Sequence, residues 1–69
     1  QMVFLDPVLL DRARIQAGLS LGDLASKSDL NYRTLKKGVF LQGGLLPSNA
    51  KAIADTLGCD VLELLAPWD

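Results

Sequence analysis

Apolar residues recur every three or four positions in several short stretches of the chain, which is the spacing of one helix face. The stretches are separated by Gly, Ser, Asp and Asn, residues that end one helix or cap the next. The predicted inward-facing positions are Leu10, Ala13 and Ala17, then Leu21, Leu24 and Ala25, then Leu30 and Leu35, then Ala50, Ile53, Ala54 and Leu57, and finally Val61, Leu64 and Leu65. The pattern predicts an all-α domain, a compact bundle of five short helices.

The ends of these helices carry their own signals. Pro7 suits the first position of the first helix, where its missing N–H costs nothing. Gly18 and Gly58 suit the left-handed conformation that closes a helix. Short polar side chains precede each helix and can accept a hydrogen bond from its first turn. The predicted N-caps are Asp6, Ser20, Asn31, Ser48 and Asp60.

The third predicted helix is the most charged part of the chain. It holds Arg33, Lys36 and Lys37 and no acid. Leu30 and Leu35 are expected on its buried side, which leaves the polar residues outward. A helix with a free face of Tyr, Arg and Lys, braced by the helix before it, suits a DNA major groove. An ordinary solvated helix in a small bundle is the alternative.

Several short motifs stand in a distinctive order: Gly18-Leu19-Ser20, Leu24-Ala25, Thr34-Leu35, Ile53-Ala54 and Leu57-Gly58. Together with Glu63-Leu64-Leu65 they resemble the pattern GLSxxxLAxxxGxxxxTI…IAxALGV…ELL. Over about Leu10 to Leu65 the chain therefore resembles the lambda-repressor/Cro-like (XRE) family. The resemblance implies a helix-turn-helix formed by helices two and three. It also implies a prokaryotic or phage transcriptional regulator, commonly a repressor, that binds double-stranded DNA as a homodimer at near-palindromic operators.

The chain departs from that family at several positions. Leu21 replaces a glutamine that often contacts DNA in relatives, and Gly38 replaces a large apolar residue. Relatives pair the arginine at Arg14 with a glutamate, but that position is Val39 here. Arg14 must therefore find water, a phosphate or another acid. Cys59 stands where relatives have valine, which favours a buried small thiol.

The candidate DNA contacts lie on a recognition helix at about Asn31–Leu41. Asn31 and Tyr32 would approach base edges, while Arg33 would grip guanine or a phosphate. The remaining contacts would be made to the DNA backbone. The full set is Asn31, Tyr32, Arg33, Thr34, Lys36 and Lys37, with candidate phosphate contacts at Ser20, Arg14 and Lys51.

The third helix is expected to continue past Lys37 and to end at Gly43, because apolar residues follow without a break. Leu45 and Leu46 then stand in a glycine-flanked loop, which is unusual for a surface segment. They either fold back onto the core or join an apolar patch used for dimerisation or partner docking. The candidate dimer or partner surface is Phe40, Leu41, Leu45, Leu46 and Trp68.

Charge is distributed unevenly along the chain. Its 69 residues have a net charge of −1, which counts against a strongly electrostatic nucleic-acid binder. However, residues 30–54 carry four cations and no acid, and residues 55–69 carry four acids and no base. This polarity suits weak, salt-sensitive DNA binding. The acidic balance also leaves open a protein-interaction or oligomerisation module of the same fold, acting as an adaptor without strong DNA binding.

The composition argues against most catalytic sites. The chain has no histidine and a single cysteine, so neither a zinc site nor an internal disulfide is expected. No glycine-rich phosphate cradle occurs, and we expect no enzyme, metal, cofactor or small-molecule substrate. No apolar run has membrane-spanning length, which favours a cytoplasmic protein.

The chain divides into one domain and two short tails by this interpretation. Residues 1–5 are expected to form an N-terminal tail, with Gln1 a cloning remnant. Residues 6–66 form the domain, and residues 67–69 a C-terminal tail cut from a longer protein.

Overall fold

The computed structural model describes residues 1–68 as an all-helical domain with four helices. They are α1 (Pro7–Ala17), α2 (Leu21–Lys27), α3 (Tyr32–Leu35), which continues into a π-helical turn (Lys36–Phe40), and α4 (Pro47–Leu57). α2 packs against both α3 and α4, and α4 also packs against α1. In the described part of the chain, extended pairing is limited to two isolated bridges.

The predicted fifth helix is wrong. Only one 3₁₀ turn forms there, at Val61–Glu63. The residues that follow pair with the N-terminal segment. The N–H of Asp6 donates to Leu64 O at 2.7 Å, and the N–H of Ala66 donates to Phe4 O at 2.9 Å. A backbone committed to this extended pairing cannot also form helical hydrogen bonds.

Most predicted helix ends are confirmed. The side chain of Asp6 accepts from Val8 N at 2.8 Å. Ser20 Oγ accepts from Asp23 N at 3.0 Å, and the Asp23 carboxylate accepts in return from Ser20 N at 3.3 Å. Gly18 and Gly58 close α1 and α4 with φ of 72° and 74°.

The start of α4 differs from the prediction. The helix begins at Pro47 and not after Ser48, and Leu46 precedes it without a side-chain cap. The fixed φ of proline and its missing N–H suit the first helical position, so the helix starts ahead of the serine.

The N-terminal segment (residues 3–6) belongs to the core, so the expected tail is a further error. Val3 and Leu45 exchange two backbone hydrogen bonds, of 2.7 and 2.8 Å, and Leu5 pairs with Leu65 on the other side. Leu5 is fully buried, whereas Met2 is 41% exposed. Alternation of inward and outward residues is the period of extended backbone, and it differs from the three- to four-residue spacing of a helix face.

The end of α3 is shaped by a close packing contact. The N–H of Leu41 donates to Lys36 O at 3.2 Å, which closes the π-helical turn before the predicted end at Gly43. Gly38 lies buried within this turn. A Cβ on Gly38 would lie 2.9 Å from Leu45 Cγ and 3.0 Å from Gly44 O. Leu45 therefore occupies the space that a larger residue at position 38 would need.

Leu45 and Leu46 differ in burial. Leu45 is buried in the core, as the first of the two interpretations predicts, whereas Leu46 is 54% exposed. The inclusion of Leu45 in a surface patch is therefore wrong.

Candidate nucleic-acid interface

α3 presents a continuous polar face to solvent. The buried Leu35 and Val39 fix the inward side of the helix and its π-helical turn. Asn31 caps the helix, with its side-chain oxygen accepting from Arg33 N at 2.8 Å. The exposed residues are Asn31, Tyr32, Arg33, Thr34, Lys36 and Lys37, which is the full predicted contact set. All six side chains are therefore accessible to a partner, and Arg33, Lys36 and Lys37, at i, i+3 and i+4, share one side of the helix.

The three cations of this face have no acidic partner among residues 1–68. Among residues 1–68, the ion pairs are Arg14–Asp11 and Lys51–Asp55. Arg33, Lys36 and Lys37 therefore keep their charges available for an external anion. The nearest carboxylate in sequence is that of Asp29, which is exposed in the turn before α3.

The turn between α2 and α3 is held in a defined conformation. Asp29 has a φ of 58°, a left-handed value that Asn, Asp and Gly adopt most readily. The N–H of Leu30 donates to Ala25 O at 2.8 Å. These features set the direction in which α3 leaves α2.

A hydroxyl chain that sequence reasoning missed fixes this turn to α4. Ser28 is 6% exposed, and its hydroxyl donates to Thr56 Oγ1 at 3.1 Å. Thr56 in turn donates to Ala52 O at 2.9 Å. The signal was available, because Ser28 continues the apolar i, i+3, i+4 face of α2 and so had to point inward.

The three candidate phosphate contacts already take part in hydrogen bonds or ion pairs within the chain. Arg14 finds another acid: its Nε donates to Asp11 at 3.1 Å and its Nη1 to Leu19 O at 2.8 Å. Ser20 is exposed but serves as the cap of α2. Lys51 is exposed and pairs with Asp55 at 2.8 Å, and this hydrogen bond and the aspartate charge raise the pKa of Lys51.

No match was found when the chain was compared with protein-family models, with curated proteins and with solved structures. Between residues 1 and 68, no helix combines the length and apolar character needed to cross a bilayer. Any functional conclusion therefore depends on the surfaces and charges of the fold.

The candidate partner surface is only partly exposed. Leu41 and Trp68 are 69% and 62% exposed, and Phe40 is half-buried against the core. Asp69, the last residue of the predicted C-terminal tail, lies outside the described residues. The exposed members of the predicted set, which a partner can reach, are Leu41, Leu46 and Trp68.

Cys59 lies at the acidic end of the chain, in a shallow depression lined also by Asp55, Asp60 and Glu63. Its side chain is partly buried. Burial first, and then the charges of Glu63 and Asp60, raise the pKa of the Cys59 thiol. The thiol is therefore neutral at pH 7, as a packing residue is, and is a poor nucleophile.

Proposed function

We propose that this domain is a prokaryotic or phage transcriptional regulator that binds double-stranded DNA sequence-specifically in the cytoplasm. In this proposal α2 and α3 act as a helix-turn-helix, and the exposed face of α3 enters the major groove. The observation that carries it is the continuous polar face of α3, whose Arg33, Lys36 and Lys37 lack an acidic partner among the described residues.

The turn supports the same proposal. The glycine of the family pattern GLSxxxLAxxxG falls on Asp29, and this residue has the positive φ for which glycine is suited. Five apolar positions of the pattern are buried here, Leu24, Ala25, Leu35, Ile53 and Ala54, and Leu19 and Leu57 are partly buried against them. These residues thus belong to the one core cluster to which α2, α3 and α4 all contribute.

A salt series tests the proposal. Fluorescence anisotropy would measure binding of a random duplex pool, and of candidate operators, at about 50 mM and about 200 mM salt. Arg33→Ala is expected to cost ~1–3 kcal/mol and to relax base preference, whereas Lys36→Ala is expected to weaken all sequences alike and to reduce the salt slope by about one. Arg12→Ala is the matched control, because it removes the same charge from an exposed position on α1.

The proposal fails if no duplex binds at the lower salt concentration, or if Arg12→Ala weakens binding as much as Arg33→Ala. A homodimer on half-sites about one helical turn apart is part of the proposal. Sedimentation with and without DNA would measure that state.

The second candidate is a protein-interaction module, which the exposed Leu41, Leu46 and Trp68 favour. Apolar contacts respond weakly to salt, so this alternative predicts partner binding that hardly changes across the same series. Trp68→Ala would then abolish partner binding, while Lys36→Ala would leave it unchanged.

A further inference from the structure

The exposed face of α3 consists mainly of hydrogen-bond donors. Arg33, Lys36 and Lys37 carry donors and no side-chain acceptor, and the hydroxyls of Tyr32 and Thr34 can do either. No carboxylate occurs between residues 30 and 54. The face therefore contains a single carboxamide, that of Asn31, as its only other acceptor.

The carbonyl oxygen of Asn31 is already in use. It accepts the backbone N–H of Arg33 at 2.8 Å, which is the N-cap bond of α3. Recognition of adenine by asparagine needs that oxygen to accept from the base N6 while the amide nitrogen donates to N7. The cap uses one of the two lone pairs of the oxygen and fixes the amide with that oxygen toward the start of α3, so Nδ2 is the group of Asn31 that has no role in the cap. A capping residue here becomes one more donor on the face.

On the basis of the proposed function, we infer that this face selects adjacent guanines on one DNA strand. Guanine presents two acceptors, N7 and O6, in the major groove, whereas adenine and cytosine each present a donor, and thymine presents one acceptor beside a methyl group. A row of donors is complementary to guanine and leaves the N4 and N6 donors of the other bases unpaired. Its ligand is thus a short guanine run in a duplex.

The spacing of the donors fits such a run. Arg33 lies in the α-helical part of α3 and Lys37 in the π-helical turn that follows, and at the α-helical rise their four-residue separation is ~6 Å. Successive base pairs rise ~3.4 Å, so the two side chains reach positions about two base steps apart. Asn31 precedes Arg33 on the same helix end. A core of two or three guanines therefore matches the length of the face.

Base analogues provide the direct test. Duplexes of one length would carry either three adjacent guanines or an A·T run, and binding would be measured by anisotropy at about 50 mM salt. We expect the guanine duplex to bind about fivefold to a hundredfold more tightly. Replacing the guanines by 7-deazaguanine, which removes the N7 acceptor, should abolish most of that difference. Replacement by inosine, which changes only the minor groove, should leave binding within about twofold.

Protein variants separate the donor from the cap. Asn31→Ser retains an N-cap side chain and loses Nδ2, so guanine preference should fall while the unfolding midpoint stays unchanged. Asn31→Asp also retains the cap and places an acceptor against N7 and O6, so its guanine preference should fall further. Asn31→Ala should lose both preference and stability.

The outcomes distinguish a preference for guanine from DNA binding itself. Salt-sensitive binding with equal affinity for both duplexes, or with no response to 7-deazaguanine, overturns the guanine inference and leaves DNA binding standing. Tighter binding to the A·T run, or an unchanged preference in Asn31→Ser and Asn31→Asp, also overturns it. An absence of binding to every duplex defeats the proposed function itself.

Discussion

The substitution Gly38→Ala tests whether the turn after α3 is packed as tightly as the geometry indicates. Adding the Cβ would bring it within 2.9 Å of Leu45 Cγ and 3.0 Å of Gly44 O. The carbonyl belongs to the backbone, and Leu45 is 1% exposed, so neither neighbour has open space to move into. We therefore expect Gly38→Ala to destabilise the domain.

The magnitude follows from two opposing effects. Overpacking a filled core by a methyl group costs ~1–3 kcal/mol. Replacing glycine by alanine within a helical backbone returns ~0.5–1 kcal/mol, because the unfolded chain loses freedom. The net loss lies between ~0 and 2.5 kcal/mol, and the middle of both ranges gives ~1.2 kcal/mol, which for a domain of this size lowers Tm by roughly 5–10 °C.

Gly22→Ala is the matched control, because it makes the same change in α2 where the new Cβ meets only Ser20 Oγ at 3.8 Å. This variant should gain ~0.4–1 kcal/mol from reduced freedom of the unfolded chain. Urea unfolding followed by far-UV circular dichroism would measure both variants. If Gly38→Ala is as stable as Gly22→Ala, the turn after α3 has space for a Cβ, and the conclusion that Leu45 fills this space is wrong.

Further predictions concern the caps, the turn and the thiol. Ser20→Ala should cost ~1 kcal/mol of unfolding free energy, because the α2 cap is lost, while Ser26→Ala on the exposed side of α2 should stay within ~0.5 kcal/mol. Asp29→Asn keeps a residue suited to a φ of 58° and removes a negative charge beside α3, so duplex affinity at low salt should rise about twofold to threefold with stability unchanged. The pKa of Cys59 is raised above its ordinary 9.0 in the folded chain, which therefore holds that proton after the unfolded chain has lost it. The unfolding free energy should accordingly fall as pH rises above 9.0, and Cys59→Ala should show a smaller fall over the same urea titrations.

The features that the sequence predicted correctly are mostly local. The caps of α1, α2 and α3 depend on side chains that bond within three residues, so a short window of sequence contains all the information needed. The exposed face of α3 was predictable for a similar reason, because Leu35 fixes the inward side and the cations then point outward.

Apart from the start of α4, which the neighbouring Pro47 decides, the errors involve contacts between distant parts of the chain. Nothing near Leu5 shows that it pairs with Leu65, and nothing near Leu62 shows that the following backbone is used in that pairing. Gly38 is a weak helix former in isolation. The need for a residue without a Cβ at this position becomes evident only when Leu45 packs against it. At the site, the Ser28–Thr56 hydrogen bond needs both α2 and α4 to be in place.

The pairing of Leu5 with Leu65 constrains the order in which the domain can be assembled on a ribosome. Within the domain Leu5 is made before α1, while its partner emerges only after α4. Closing so large a loop has an entropic cost that neighbouring helical turns do not face. The backbone of Leu5 therefore lacks this partner while α1 to α4 form, whereas Val3 can already pair with Leu45, and we expect the Leu5–Leu65 bridge to form late.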